Sequence, residues 1–303
     1  MAFTAADVKT LREMTGVGMM DCKKALTETD GDMDKAIEYL REKGLAASQK
    51  KAGRIAAEGM AFAGVIDGIG VVVEVNAETD FVGKNEKFVD FVKGVAAVVA
   101  KENPVDLEAL MACKYNEELT VEKQQQEMVL VIGENIKVRR FARFADGVSV
   151  PYIHAGGKIG VLVNLEVEGG IDATEIGKDV AMQIAALNPR FWDKAQVTED
   201  VLAEEKKIMM VQMANDPKMA NKPEQVREKI VMGKLNKFYS ENCLLQQEFV
   251  KDNDLTVEKY LAAAAKALGG KVTFKDAVRF EKGEGIEKKE ENFAAEIASM
   301  VKG

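Results

Sequence analysis

The side chains that most often carry enzyme chemistry are few and widely separated in this sequence. His154 is the only histidine among the 303 residues, so a mechanism with an imidazole base would have to use it. It lies in the segment HAGGKIG, and the chain has neither a GxSxG nucleophile motif nor a phosphate-binding loop of the GxxxxGKS or GxxxxGKT type. An enzyme that uses His154 stays open as one hypothesis, but the sequence favours a protein without a catalytic centre.

The three cysteines give no sign of a metal site or of a disulfide framework. Cys22, Cys113 and Cys243 lie far apart and lack the CxxC or Cys/His spacing of structural zinc sites. Buried free thiols are therefore the simplest interpretation. We expect no metal ion and no bound cofactor.

Composition and charge limit the remaining classes of function. The chain is long enough for two or more domains, and its net charge of −8 argues against a general nucleic-acid binder. No apolar run approaches the roughly 18 residues of a membrane span, and the N-terminus does not have the pattern of a signal peptide. We expect a cytoplasmic protein that binds neither nucleic acid nor membrane. Solvated surface charge is favoured over an RNA site for two basic clusters, which are Lys50, Lys51 and Arg54, and Arg139, Arg140 and Arg143.

Residues 1–54 have the pattern of a small module of three helices. Thr4 and Asp7 have the spacing of a capping box, and apolar residues follow at helical intervals. Gly44 is a candidate C-cap of the third helix. The basic stretch SQKKAGR that follows predicts a linker or an exposed extension of that helix.

An internal repeat of about ninety residues follows the three-helix module. GMAFAGVIDGIGVVVEVN, from Gly59, aligns with GVSVPYIHAGGKIGVLVNLE, from Gly147, and each copy continues into a helical pattern that ends at Asn-Pro. Each unit predicts a strand hairpin followed by a helix. We therefore expect an α+β fold with two related core subdomains, the first at 55–144 and the second at 145–196 and 239–275.

An inserted helical hairpin is predicted at 197–238, with Pro223 in the first turn of the returning helix. Each helix carries an apolar stripe. The two stripes are Val201, Leu202, Ile208, Met209 and Met213, and Val226, Ile230, Val231, Leu235 and Phe238. A projecting arm of this kind suits binding to a partner or to a second copy. A C-terminal module at 276–303 completes the predicted organisation.

Two short segments carry apolar side chains whose position the pattern leaves open. In TGVGMMDCKKAL, Met19 shares a helical arc with Cys22, whereas Met20 lies about 100° away, between two lysines. Met20 thus has no obvious core to enter, and Met19 suits either the core or the surface. In TDFV, the residues alone favour Asp80 as a helix cap and Phe81 as a core residue.

Four segments, in order and over nearly the whole chain, resemble the elongation factor Ts family. They are LREMTGVGMMDCKKAL, NAETDFVGKN, HAGGKIGVLV and RFEKGEGIEKKEENFAAEIA. The resemblance implies a ubiquitin-associated-like N-terminal module, duplicated core subdomains, a helical-hairpin dimerisation element and a C-terminal module. It also implies a function: binding to elongation factor Tu with GDP, disruption of its Mg²⁺ and nucleotide site, and exchange of GDP for GTP.

The resemblance also implies which residues contact the partner. The first set is the TDFV loop, formed by Thr79, Asp80, Phe81 and Val82, with Phe81 wedged near the Mg²⁺ site of elongation factor Tu. The second set, in the N-terminal module, is Arg12, Met19, Met20 and Lys23. His154 matches a family histidine near a further contact, and a purely structural role for it stays open.

The sequence leaves the function and the role of the hairpin open in part. An adaptor whose three-helix module binds different protein ligands is the competing function. The hairpin is expected either to join two copies into a homodimer or to lie against the partner. The sequence also departs from the family at Gly83, where alanine is common, and at Asn221, where glycine is common; the first change is expected to loosen the TDFV loop.

Overall fold

The computed structural model describes residues 3–216 and 223–287, which form a mixed α+β fold. Within these residues, every helix falls short of the length or the apolar character that crossing a membrane requires. The predicted fold class is confirmed. The domain boundaries given above stay predictions.

The N-terminal module consists of α1 (Ala5–Thr15), α2 (Met19–Glu28) and α3 (Met33–Lys51). The predicted capping box is present, because the Thr4 hydroxyl accepts from the Asp7 N–H while the Asp7 carboxylate accepts from the Thr4 N–H. The helices share a small core. Its buried members are Val8, Leu11, Val17, Cys22, Ala25, Leu26, Ala36 and Leu40.

The expectation that Gly44 ends the third helix is wrong, because α3 continues to Lys51. Gly44 lies inside α3 and faces α6 (Val121–Ile132), where a Cβ at position 44 would stand 3.2 Å from the Gln126 carbonyl oxygen. The glycine therefore permits a close approach between two helices. The basic stretch after Gly44 is largely a helix extension, one of the two forms expected.

The first core subdomain has a three-stranded antiparallel sheet in the order β1-β2-β3. Its strands are β1 (Glu58–Ile66), β2 (Ile69–Ala77) and β3 (Lys137–Phe144). The helices α4 (Glu86–Glu102) and α5 (Leu107–Ala112) complete it together with α6. Phe88 and Phe91 of α4 are buried in a core that also includes the β2 valines. The predicted order of strand hairpin and helix is therefore present.

The second half repeats this order with β4 (Val148–His154), β5 (Ile159–Glu168) and α7 (Thr174–Leu187). α4 and α7 both end at an asparagine in the left-handed conformation, at Asn103 with φ 48° and at Asn188 with φ 45°. A residue in this conformation ends a helix, because its backbone dihedral angles differ from those of the helix. The two copies of the sequence repeat therefore share their helix-ending device.

The third strand of the second sheet comes from the far end of the chain. β8 (Lys271–Glu281) pairs with β5 in the order β4-β5-β8. The hairpin of β6 (Glu248–Phe249) and β7 (Asp252–Thr256), followed by α10 (Val257–Ala267), precedes it. The boundary expected between positions 275 and 276 lies inside β8, so this strand as a whole belongs with the second sheet. Residues 288–303 of the expected C-terminal module lie outside the described residues.

The inserted hairpin is formed by α8 (Glu199–Asn215) and α9 (Glu224–Asn242), which pack together through Met209, Met213 and Leu235, among others. Ile208 and Val226 are half exposed instead of buried. Two helices cover only the narrow strip between them, so stripe residues at its edge stay accessible. Asn221 and the rest of 217–222 lie outside the described residues.

A small apolar layer joins the two sheets. Its buried members are Ala61, Ala63, Val72, Leu162 and Phe280. A backbone hydrogen bond of 2.8 Å from Ala61 N–H to the Gly157 carbonyl also crosses between the halves. The two subdomains are thus packed directly against each other.

Candidate protein-binding site

The Phe81 side chain lies on the surface, with 80% of its area exposed. It belongs to the loop between β2 and α4, and Asp80 beside it is also exposed. Asn85, not Asp80, caps α4, because its side-chain oxygen accepts from the N–H groups of Lys87 at 3.0 Å and Phe88 at 3.4 Å. The interpretation of Asp80 as a cap and Phe81 as a core residue is therefore wrong.

The residues on both sides of Asp80 and Phe81 are held by the rest of the subdomain. Thr79 donates to the Glu134 carboxylate twice, from its N–H at 2.9 Å and from its hydroxyl at 2.7 Å. On the other side, Val82 is buried in the main core. The aromatic ring thus stands on a loop with fixed ends, which lowers the entropy lost when it enters a partner.

Gly83 makes a close backbone contact in this loop. A Cβ at this position would stand 2.8 Å from the Gly59 carbonyl oxygen, closer than real Cβ atoms approach another atom. This geometry does not favour the expectation that Gly83 loosens the TDFV loop. The absence of a side chain here lets the loop pack tightly against the start of β1.

The exposed methionines of the N-terminal module form a second apolar feature. Met20 is 75% exposed and Met19 is 45% exposed, whereas Cys22 is fully buried. Packing of Met19 wholly in the core is therefore excluded. Arg12 and Lys23 are exposed as well, so both methionines have basic neighbours in the sequence.

The module and the TDFV loop meet at a shallow cavity of about 300 Å³. Gly16, which connects the first two helices, and Phe81 both line it, and Lys87 Nζ donates to the Gly16 carbonyl at 3.1 Å. The structure therefore brings the turn between α1 and α2, at Gly16, close to the Phe81 ring. We call the residues Met19, Met20, Asp80 and Phe81 the docking surface.

His154 lies at the end of β4 and is exposed, with Nδ1 3.0 Å from the Tyr152 hydroxyl. Across the described ranges, no three or more His, Cys, Asp or Glu side chains are grouped so that they could hold a metal ion. The polar neighbour of His154 is a tyrosine, not a nucleophile of the kind a Ser/His/Asp mechanism uses. The structure therefore gives the hypothesis of a His154 enzyme no support.

The thiols are in environments that make them poor nucleophiles. Cys22 and Cys243 are buried and Cys113 is partly buried, and all three are free. Burial raises the pKa of Cys243 to about 11 and also raises the pKa of Cys22. Because the thiolate is the reactive form, neutral thiols of this kind fit a structural role.

Several residues of the two basic clusters hold the chain together instead of forming an open basic patch. Arg139 and Arg140 pair with the buried Glu74, while Arg143 donates to the Ala100 carbonyl near the end of α4. Arg54 lies 3.5 Å from the Glu78 carboxylate. These contacts favour structural charge over an RNA site.

An exposed aromatic ring on an anchored loop, together with exposed methionines on the module that packs beside this loop, is typical of a protein that acts by docking onto another protein. The family model described as "Elongation factor TS" matches residues 78–284. Proteins named "Elongation factor Ts" are similar over nearly the whole length. The one from Clostridium perfringens is 51% identical over 302 residues, with 98% of each chain covered, and the one from Trichlorobacter lovleyi is 50% identical over 312 residues, with 99% of each covered. The chain belongs to the elongation factor Ts family.

Sequence reasoning missed two residues that hold the docking surface in place, Glu134 and Lys87. Glu134 is 55 positions from Thr79, and Lys87 is 71 positions from Gly16. Neither contact follows from periodicity or local spacing. Both contacts join segments that are far apart in the sequence, so only the folded structure shows them.

Proposed function

We propose that this chain is a translation elongation factor that binds elongation factor Tu with GDP, disrupts its Mg²⁺ and nucleotide site, and promotes GDP release and GTP loading. Membership in the elongation factor Ts family supports the class of partner. The observation that carries the proposal is the exposure of the Phe81 ring, because a wedge must be able to reach its target. No covalent step by this chain is needed, so the protein is not an enzyme and holds no cofactor.

In this proposal the residues of the docking surface and the further contact residues have separate roles. The exposed part of the TDFV loop, Asp80 and Phe81, enters the nucleotide-binding domain of the partner with Phe81 near the Mg²⁺ site, while Thr79 and the buried Val82 hold its two ends. Arg12, Met19, Met20 and Lys23 hold the N-terminal module against the same domain, and His154 lies near a further contact. A methionine suits an interface that must form and dissociate, because its side chain is flexible and polarizable.

The energy available from one ring fits this role. Burying a phenylalanine gains roughly 1.5 to 3 kcal/mol, and about 1.4 kcal/mol corresponds to a tenfold change in affinity. A ring that fits only the nucleotide-free partner therefore weakens nucleotide binding by about ten- to a hundredfold. By thermodynamic linkage, GDP weakens the binding of this chain by the same factor.

The direct test is the release of a fluorescent GDP from elongation factor Tu. We expect the full chain at catalytic amounts to accelerate release in the presence of excess unlabelled nucleotide. Release at the spontaneous rate would contradict the proposal. An adaptor would show the opposite pattern, with different protein ligands captured by the three-helix module and no binding to elongation factor Tu.

Replacing Met20 with alanine is expected to weaken binding to elongation factor Tu about threefold to tenfold. Its side chain is 75% exposed, so its loss removes interface contact and leaves the free energy of unfolding within about 0.5 kcal/mol of its original value. Calorimetric titration and urea unfolding measure the two quantities. A matched control is Val105→Ala, because Val105 is 90% exposed but follows the far end of α4. Equal binding by Met20→Ala and the unsubstituted chain would remove Met20 from the docking surface.

The oligomeric state tests the role of the hairpin. Sizing the chain alone and mixed with elongation factor Tu, with and without GDP, separates a hairpin that dimerises from one that contacts the partner. A hairpin that joins two copies gives a dimer of the chain alone. A chain that is a monomer alone and enlarges only in the mixture excludes the dimer and leaves the hairpin free to contact the partner.

A further inference from the structure

The turn between α6 and β3 connects the N-terminal module to the TDFV loop. Lys51, at the end of α3, donates to the carbonyl of Gly133, and the Asn135 side chain donates to the Arg54 carbonyl at 2.8 Å. The same turn contacts the other side through Glu134, which accepts from Thr79. We call residues 133–135 the linking turn.

Local geometry holds the linking turn itself in one conformation. Gly133 ends α6 with φ 87°, a left-handed conformation that directs the chain back towards β3. Asn135 is buried, and its N–H donates to the Glu78 carboxylate at 2.6 Å. Glu134 is therefore placed between a fixed helix end and a buried neighbour.

The Glu134 carboxylate serves both polar groups of Thr79 at once. A carboxylate has two oxygens that only accept, which matches one N–H donor and one O–H donor. Charged acceptors form stronger hydrogen bonds than neutral ones. Thr79 directly precedes Asp80 and Phe81, so this double contact fixes the start of the exposed segment.

We propose that Glu134 is a positioning residue for nucleotide exchange, whose double hydrogen bond with Thr79 holds the Phe81 ring at a fixed place relative to the N-terminal module. This inference rests on the proposed function. Glu134 acts through Thr79 and Phe81, and its effect is on how well the loop is prepared before binding. Ordering the loop in advance lowers the cost of the step in which the ring enters the nucleotide site, so loss of Glu134 is expected to slow GDP release more than it weakens docking of the N-terminal module.

The first measurement compares Glu134→Ala with the unsubstituted full chain in the release of fluorescent GDP from elongation factor Tu. The N-terminal module still docks, so we expect the half-saturating concentration to change less than about twofold while the maximal release rate falls about fivefold. Glu134→Gln keeps one acceptor oxygen and is expected to recover part of the rate. Glu122→Ala, an exposed glutamate at the other end of α6, serves as the matched control.

The second measurement is a double-mutant cycle with Phe81→Ala. If Glu134 acts through the ring, Glu134→Ala has no further effect on the release rate once Phe81 is alanine. Equal effects of Glu134→Ala in both backgrounds, or no effect in either, would overturn the inference.

Hydrogen exchange of the Thr79 amide tests the same contact without the partner. In Glu134→Ala we expect faster exchange at Thr79 while the amides of the β2 strand keep their protection. Unchanged protection at Thr79 would also overturn the inference. An unsubstituted chain that fails to accelerate GDP release would refute the proposed function. Normal GDP release with Glu134→Ala, alongside slow GDP release with Phe81→Ala, would refute only the role of Glu134.

Discussion

Phe81→Ala is expected to slow the release of GDP from elongation factor Tu by about ten- to a hundredfold at a given concentration of the chain. This range follows from the roughly 1.5 to 3 kcal/mol that one buried phenylalanine contributes. The ring is 80% exposed in the free protein, so its removal takes away almost no intramolecular packing. The free energy of unfolding of Phe81→Ala, measured in urea, is therefore expected to lie within about 0.5 kcal/mol of that of the unsubstituted chain.

The neighbouring residue gives a contrasting control for this prediction. Val82 is buried in the core, so Val82→Ala is expected to lower the free energy of unfolding by about 1 to 3 kcal/mol. A variant that loses exchange while keeping its stability identifies a binding residue, and Phe81→Ala should show this pattern. Full exchange activity in Phe81→Ala would contradict the assignment of the ring as the wedge.

Glu74→Ala is expected to destabilise the fold by about 3 kcal/mol or more, the largest stability effect that we predict. Glu74 is fully buried on β2 and accepts from Arg139 at 2.9 Å, Arg140 at 2.5 Å and the Gly283 N–H at 2.8 Å. Removing a buried charge leaves its partners without compensation, which costs about 3 to 5 kcal/mol. The lower end applies because both arginines are partly exposed.

Glu74 also joins parts of the chain that are far apart in sequence. Its partners come from β3 and from the turn after β8, where Gly283 follows the last strand of the second sheet. Its loss should therefore loosen the contact between the two subdomains. Glu284→Ala removes a half-exposed partner of Arg140 and is the matched control, with an expected cost below about 1 kcal/mol. Equal free energies of unfolding for Glu74→Ala and the unsubstituted chain would contradict this account.

The contribution of Glu74 should depend on pH in a defined direction. Burial raises its pKa, but hydrogen bonds from Gly283, Asn76 and the two arginines outweigh burial, so the pKa lies below the ordinary value of 4.5. A carboxyl with a lowered pKa in the folded state stabilises the fold above about pH 4.5 and loses this contribution as the pH falls further. The stability difference between the unsubstituted chain and Glu74→Ala should thus be constant near neutral pH and shrink in acid. A difference that stays constant down to pH about 3 would contradict the lowered pKa.

Local sequence patterns correctly predicted the structural features that depend on residues close together in the chain. The Thr4 capping box and the strand hairpin followed by a helix in each repeat depend on neighbours along the chain, and both were confirmed. Gly44 was placed wrongly because a glycine near a helix end usually marks a cap, whereas here a second helix packs against it. Tertiary contact decided its role.

The candidate site shows the same limit more clearly. Asp80 before a helix and Phe81 near an apolar run predict a cap and a core residue, yet Asn85 caps the helix and the ring points to solvent. The family resemblance implied a presented loop, and the geometry supports that role. The anchor at Glu134 depends on a contact across 55 positions, which no local pattern reveals.

The most direct test of the central claim is a photo-crosslink from position 81 of the full chain. Phe81 is replaced by p-benzoylphenylalanine, the chain is mixed with elongation factor Tu, and the adduct is mapped after irradiation. We predict crosslinks in the nucleotide-binding domain of the partner, with a yield that falls as GDP and Mg²⁺ are added, because nucleotide and ring weaken each other. Crosslinks elsewhere, or a yield in that domain that GDP and Mg²⁺ leave unchanged, would contradict the claim that this ring displaces the nucleotide.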